Sequence, residues 1–206
     1  MESASKDVLF TIAMNLDLPS LLRWCESNSR INKNVCLNSD VWRSKLLKDF
    51  PSEYPGFQKY GLNRSLRETY VFLYQLSYIK KLLNTNESLY DIFVKRTLNL
   101  SNKRLSKVPA FDLPNLEILD LSNNNLRNVP AFNLPNLQYL HLNHNQLEKI
   151  PGFNLPNLAY LYINNNQLRD IPPLVLPSLL IISVYDNKFN DEEYRKIYKK
   201  FPNKVR

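Results

Sequence analysis

The segment Leu116-Glu117-Ile118-Leu119-Asp120-Leu121-Ser122-Asn123-Asn124-Asn125-Leu126 carries leucine at its first, fourth, sixth and eleventh places and asparagine at its ninth. The same spacing returns every 21 residues. Leu137, Leu158 and Leu179 open further copies, with Leu140 and Leu142, Leu161 and Ile163, and Ile182 and Val184 following. The asparagine recurs as Asn145, Asn166 and Asn187, and the last apolar place as Leu147, Leu168 and Phe189. A fainter first copy supplies Leu98, Leu100 and Leu105, with Lys103 where the asparagine would stand. The alternating apolar residues suit a short strand with one buried face. The asparagine amide can satisfy backbone groups where the chain bends out of that strand, so stacked copies should form a ladder. Between strands, stretches such as Val129-Pro130-Ala131-Phe132-Asn133-Leu134-Pro135-Asn136 are too short and proline-rich for a regular helix. Extended or 3₁₀ backbone is expected there, with Phe111, Phe132, Phe153 and Leu174 stacking into an internal spine.

This pattern, over about residues 94–190, resembles the leucine-rich repeat. No single copy can bury its apolar face alone, so stability should rest on neighbour stacking and on caps. After Phe189, Asn190 reads as the cap of a helix with Asp191, Glu192 and Glu193 in its first turn and bases later, as the helix dipole favours. That helix is expected to shield the open end of the stack.

In repeats of this kind the residues between the buried leucines line a concave face. The third place supplies Thr97, Ile118, Tyr139, Tyr160 and Ile181, the fifth Asn99, Asp120, His141, Tyr162 and Ser183, and the seventh Ser101, Ser122, Asn143, Asn164 and Tyr185. Such a surface is rich in aromatic and amide groups and poor in bases, which suits protein contacts better than phosphate contacts. Ile118, Asp120, Tyr139, His141, Tyr160, Tyr162, Ile181 and Tyr185 are the expected target-binding residues. The plainer alternative is that tyrosine merely tolerates exposed strand positions.

The first fifty residues read as short helices. Val8, Leu9, Ile12, Ala13 and Leu16 mark one face, Asp17-Leu18-Pro19-Ser20 punctuates, and Leu21, Leu22 and Cys25 continue a second helix. Ser39 can cap a third, with Trp42, Leu46 and Phe50 at i, i+4 and i+8. This arrangement resembles an F-box: aliphatic places at Val8, Leu9, Ile12 and Leu16, the tripeptide Asp17-Leu18-Pro19, then Leu21 and Leu22, and Trp42 with Leu46 near the end. The family's opening Leu-Pro is absent, Ala4-Ser5 standing there, and Asp7 replaces the usual Glu. The resemblance implies docking to a Skp-family adaptor through Leu9, Ile12, Leu16, Leu18, Pro19, Leu21 and Leu22. A capping box at Ser65 and Glu68 opens a further helix whose stripe is Leu66, Tyr70, Leu73, Leu76, Ile79 and Leu83.

The expected organisation is α+β: an F-box-like helical module over 1–50, and a helical connector over 51–93 that caps the first repeat. A short leucine-rich-repeat solenoid follows over 94–190, then a C-terminal capping helix and basic tail over 191–206. The layout and its abundant Asn, Lys, Ile and Tyr resemble the F-box/leucine-rich-repeat proteins of giant DNA viruses of the mimivirus kind.

The composition narrows the function further. The formal charge of +8 over 206 residues is concentrated in 51–97 and in 191–206. The dense cluster Arg195, Lys196, Lys199, Lys200, Lys204 and Arg206 suits a solvated terminal helix, the alternative being a nucleic-acid patch. No apolar stretch reaches the ~18 residues a membrane span needs, and no signal-peptide layout opens the chain, so an intracellular monomer with no membrane role is expected. Three glycines leave little for a phosphate-cradling loop, and Cys25 and Cys36 read as packed thiols rather than nucleophiles. His141 and His144 have no companions at metal-ligand spacing and fit strand and turn places in the repeat. Neither enzymatic activity nor a cofactor is expected. The leading reading is the substrate-recognition subunit of an SCF-type ubiquitin ligase, which supplies proximity to a target protein rather than catalysis. The rivals are a scaffold or inhibitor without any ubiquitin link, and a binder of nucleic acid or acidic surfaces through the tail.

Overall fold

A computed structural model describes residues 5–27, 29–58 and 64–206. The chain forms N-terminal helices followed by a parallel-strand solenoid and a C-terminal helix. It divides into two compact units, one of residues 1–80 with 88–90, the other of 81–87 with 91–206. Among the described residues no helix is long and apolar enough to cross a membrane.

The first unit is helical. Ser5 caps α1 (Lys6–Asn15) by accepting from the Val8 N–H, and the Asp17 carboxylate accepts from the Ser20 N–H at 2.8 Å at the start of α2 (Leu18–Ser27). The Ser20 hydroxyl, and then that backbone bond, hold the Asp17 carboxyl below its ordinary range. A short α3 (Ser29–Ile31) leads into a π-helical turn, Asn32–Cys36. The cap of α4 (Ser39–Asp49) is Asn38, whose side chain accepts from the Asp40 N–H, and not Ser39 as the sequence suggested; the helix starts one residue earlier than expected. Leu9, Leu18, Leu21, Trp42 and Leu46 form the core, and the Trp42 indole donates to the Cys36 carbonyl at 2.9 Å. After α5 (Glu53–Gln58), the capping box opens α6 (Leu66–Leu83): the Ser65 N–H donates to Glu68 and the Glu68 N–H to Ser65 Oγ. The Tyr70 ring on α6 lies 5.6 Å from Trp42 and 5.5 Å from Phe50.

One expectation fails here. Cys25 and Cys36 are joined as a disulfide, with Cα atoms 6.0 Å apart, rather than packed as thiols. The ten residues between them lead back through α3, which sets the π turn beside α2. That path is a property of the packed unit and has no counterpart in the spacing.

In the second unit, after α7 (Leu89–Phe93), five three-residue strands form one parallel sheet in chain order: β1 (Thr97–Asn99), β2 (Ile118–Asp120), β3 (Tyr139–His141), β4 (Tyr160–Tyr162) and β5 (Ile181–Ser183). Every register pair is separated by 21 residues, as Leu98 with Leu119 and Leu119 with Leu140, so the sequence period is the strand register. The asparagine ladder is present. Asn166 lies buried, donates to the carbonyls of Leu142 and Ile163 at 2.9 and 3.0 Å, and accepts from the Leu147 N–H at 3.0 Å. Asn124 does the same for the first copy, taking the N–H groups of Lys103 and Leu105. Just before each ladder asparagine the chain takes a left-handed residue: Asn123, His144, Asn165 and Asp186, all near φ 54°. Asn, Asp and His are the non-glycine residues that tolerate this conformation.

The Phe111, Phe132 and Phe153 rings stack at 5.7 and 5.9 Å, with Leu174 buried at the equivalent place. The return limbs are extended with one tight turn each, Leu137 N–H to Leu134 O for example, and no 3₁₀ helix forms. A second ladder was not anticipated. Asn136, Asn157 and Ser178 donate to the carbonyls of Pro114, Pro135 and Pro156, all at 2.8 Å. The recurring Pro-Asn pair was its visible sign.

Helix α8 (Asp191–Lys200) starts at Asn190, which accepts from the Glu193 N–H at 2.8 Å. The tail beyond it is not simply solvated. The N–H groups of Ile182 and Val184 donate to the carbonyls of Lys204 and Arg206, and Arg206 donates back to Ile182, so the segment pairs in parallel with β5. Val205 is buried there, covering an edge that would otherwise present unpaired backbone groups.

Candidate protein-binding face

Short strands with leucine at their centre bury that residue and turn its two neighbours to the opposite side. Leu119, Leu140 and Leu161 are fully buried, whereas Ile118, Asp120, Tyr139, His141, Tyr160, Tyr162 and Ile181 are half-buried on the open face. Because the copies are in register, like places stack. The Tyr139 and Tyr160 rings lie 4.6 Å apart and within 4° of parallel, and those of His141 and Tyr162 lie 4.7 Å apart at 11°. Two aromatic columns therefore run across β3 and β4, their faces mutually covered and their edges turned outward. Tyr185, half exposed, belongs to neither stack, and Ser183 is buried, so the aromatic surface is narrower than the sequence suggested.

Toward β1 the face is polar and self-bonded. Asp120 Oδ1 accepts from the Ser122 N–H at 2.9 Å and its hydroxyl at 2.6 Å. Asn99 Oδ1 accepts from Ser101 in the same way, at 2.9 and 2.8 Å. Beside them Arg96 pairs with Glu117, cancelling one charge of each sign. Shallow recesses line this margin, one between Val94, Arg96, Asn115, Glu117 and Asn136.

On the helical unit, the residues matched to an adaptor-docking motif separate into two groups. Leu9, Leu18 and Leu21 are buried in the unit's own core and offer no surface. Pro19 is exposed, Ile12, Leu16 and Leu22 are half-buried, and Val8 adds 48% exposed area. An open recess of about 490 Å³ borders Leu16, Asp17, Lys45, Asp49, Tyr70 and Tyr74. At its base Lys45, only 1% exposed, donates to the Leu16 carbonyl at 2.9 Å, pairs with Asp49 at 3.1 Å and sits 5.3 Å from the Tyr70 ring centre. The Tyr70 hydroxyl donates to Asp49 at 2.6 Å, and burial, then that carboxylate, push its phenol well above the ordinary range. Lys48 donates to the Met14 carbonyl at 2.7 Å. The two lysines thus satisfy carbonyls at the end of α1, a role helix ends favour for cations. Nothing in the apolar periodicity of α4 marked Lys45 as a core residue.

Among the described residues no three His, Cys, Asp or Glu side chains converge on a possible metal position. His144 is a turn residue and His141 a member of an aromatic column.

Comparison with known proteins agrees with the fold. Residues 96–147 match the family model described as Leucine rich repeat, and residues 135–175 the one described as Leucine Rich repeats (2 copies). Residues 96–175 are leucine-rich repeats, an architecture whose open sheet faces serve as protein-interaction surfaces. No curated protein matches the chain.

Proposed function

We propose that this chain is a protein–protein interaction adaptor whose open repeat face holds a target protein while the N-terminal helices dock a Skp-family adaptor. In that role it is the substrate-recognition subunit of an SCF-type ubiquitin ligase and brings the target near a catalyst carried elsewhere. The observation that carries the target-binding half is the pair of aromatic columns, Tyr139 with Tyr160 and His141 with Tyr162, on an otherwise weakly charged surface. Rigid tyrosines offer large contact area with little rotamer entropy to lose. The docking half is supported by Asp17-Leu18-Pro19 at the α1–α2 junction, with Ile12, Pro19 and Leu22 at the surface.

A binding assay between the full chain and a purified Skp-family adaptor tests the docking half. Micromolar binding is expected, lost in an Ile12→Glu, Leu22→Glu variant whose repeats still melt as in the parent. Absence of binding by the parent chain would leave the interaction scaffold without a ubiquitin link. That second reading is favoured by the burial of Leu9, Leu18 and Leu21, which their own core explains without a partner. For the target-binding half, Tyr160→Ala or Tyr162→Ala should weaken target binding by about 2 kcal/mol, with only a mild dependence on salt. A steep salt slope, abolished by Lys199→Glu with Lys200→Glu, would transfer the activity to the basic helix. Deleting the tail is the poorer test, because it also uncovers β5.

A further inference from the structure

Across the repeat face the chemistry changes in one direction. Along its margin the second places of the repeat run Arg96, Glu117, Gln138, Ala159 and Leu180, from charged through polar to apolar, and Leu180 is 56% exposed. The aromatic columns lie between these ends. In a chain of net charge +8, the polar end carries one acid outside the Arg96–Glu117 pair, and that acid is Asp120. Ser122 holds the Asp120 carboxylate in one orientation through two hydrogen bonds to a single oxygen, Oδ1. A half-buried carboxylate fixed in this way is prepared to receive a charge-assisted hydrogen bond from a cation.

We infer that the face takes an extended peptide segment of its partner, with a basic side chain at Asp120 and a bulky apolar side chain four residues away over Tyr160 and Ile181, which are register neighbours. The inference rests on the target-binding reading above and specifies its ligand. The spacing follows from the strands. Asp120 on β2 and Ile181 on β5 are three strand intervals apart, about 14 Å along the stack at ~4.8 Å each, and two residues apart along the strand, so about 16 Å in all. Extended chain advances ~3.3 Å per residue and presents residues i, i+2 and i+4 on one side. The ~13 Å from i to i+4, lengthened by the reach of a basic side chain at i, therefore spans the two ends, and residue i+2 passes over the outward edges of the rings. Charge complementarity favours a base over an acid at the first position.

The test is selection from a random linear peptide library displayed on phage, with the full-length chain as bait. Enrichment of a basic residue four positions from an aliphatic or aromatic one is expected. A synthetic peptide of that consensus should bind the Asp120→Asn variant about tenfold more weakly and lose affinity with Ile181→Ser. Asn99 already accepts from Ser101 as Asp120 does from Ser122, so the asparagine fits the site and its effect reads the charge, not the fold. If peptides are enriched that depend on Tyr160 and Tyr162 but carry no base, or bind Asp120→Asn unchanged, the ligand assignment is overturned and the binding face stands. If the enriched peptides ignore Tyr160→Ala and Tyr162→Ala, the binding face itself is overturned. Absence of any enrichment rules out an extended peptide as the occupant, leaving a folded surface.

Discussion

The two units of this chain solve the same problem, satisfying buried backbone groups, by opposite means. In the repeat unit the ladder asparagines do it, each bonding the equivalent backbone atoms of its own copy and the one before, and the solution is written 21 residues apart. In the helical unit the corresponding work falls to singular residues: Lys45 on the Leu16 carbonyl, Lys48 on the Met14 carbonyl and Trp42 on the Cys36 carbonyl. A periodic solution tolerates the loss of one member better than a singular one, because neighbouring copies retain their own contacts.

That contrast can be broken by substitution. The largest effect is expected at Lys45. Lys45→Ala strands a carbonyl and the Asp49–Tyr70 pair in a packed site, and should destabilise the helical unit by about 3 kcal/mol. Denaturant unfolding followed by Trp fluorescence would report it, both tryptophans lying in that unit, Trp24 and Trp42. A change below the error of the method would mean that Lys45 is carried passively. Reduction of Cys25–Cys36, or Cys36→Ser, should cost about 2–3 kcal/mol for a loop of this length. The loss should be confined to the same transition, and equal midpoints with and without reductant would contradict it.

In the repeats, Asn166→Ala removes the ladder bonds to Leu142, Ile163 and Leu147, for an expected loss of about 2 kcal/mol. Arg169→Ala, at an exposed place nearby, should stay within about 0.5 kcal/mol. Should the two variants melt alike, the ladder would not be the source of repeat stability. The smallest effect tests the left-handed turn. His144→Val should cost about 1 kcal/mol, whereas His144→Asn, matching Asn123 and Asn165, should be neutral or slightly stabilising. Thermal melts of the pair, compared with each other, sharpen the assignment without reference to any ligand.

Legibility followed the same division. Repeat register, ladder, phenylalanine spine and the start of α8 could be read because each is a local pattern multiplied by stacking. The candidate face was legible at the level of which residues project from it, since strand alternation dictates that. Which rings would meet was not: Tyr139 pairs with Tyr160 and His141 with Tyr162, while Tyr185 stands apart, because it follows β5 beyond the paired strands. In the helical unit the apolar stripes were readable, but their sidedness was not, so Leu9, Leu18 and Leu21 could be taken for surface contacts although their own unit buries them.

Periodicity alone therefore established the repeat architecture, its 21-residue register and the side of each strand that faces out, because those depend on spacing along a regular backbone. Only the tertiary structure decided the Cys25–Cys36 bond, the burial of Lys45, the pairing of residues 204–206 with β5 and the aromatic columns. Each of these joins groups whose approach depends on how separate segments pack, and no period in the chain encodes a distance that only folding creates.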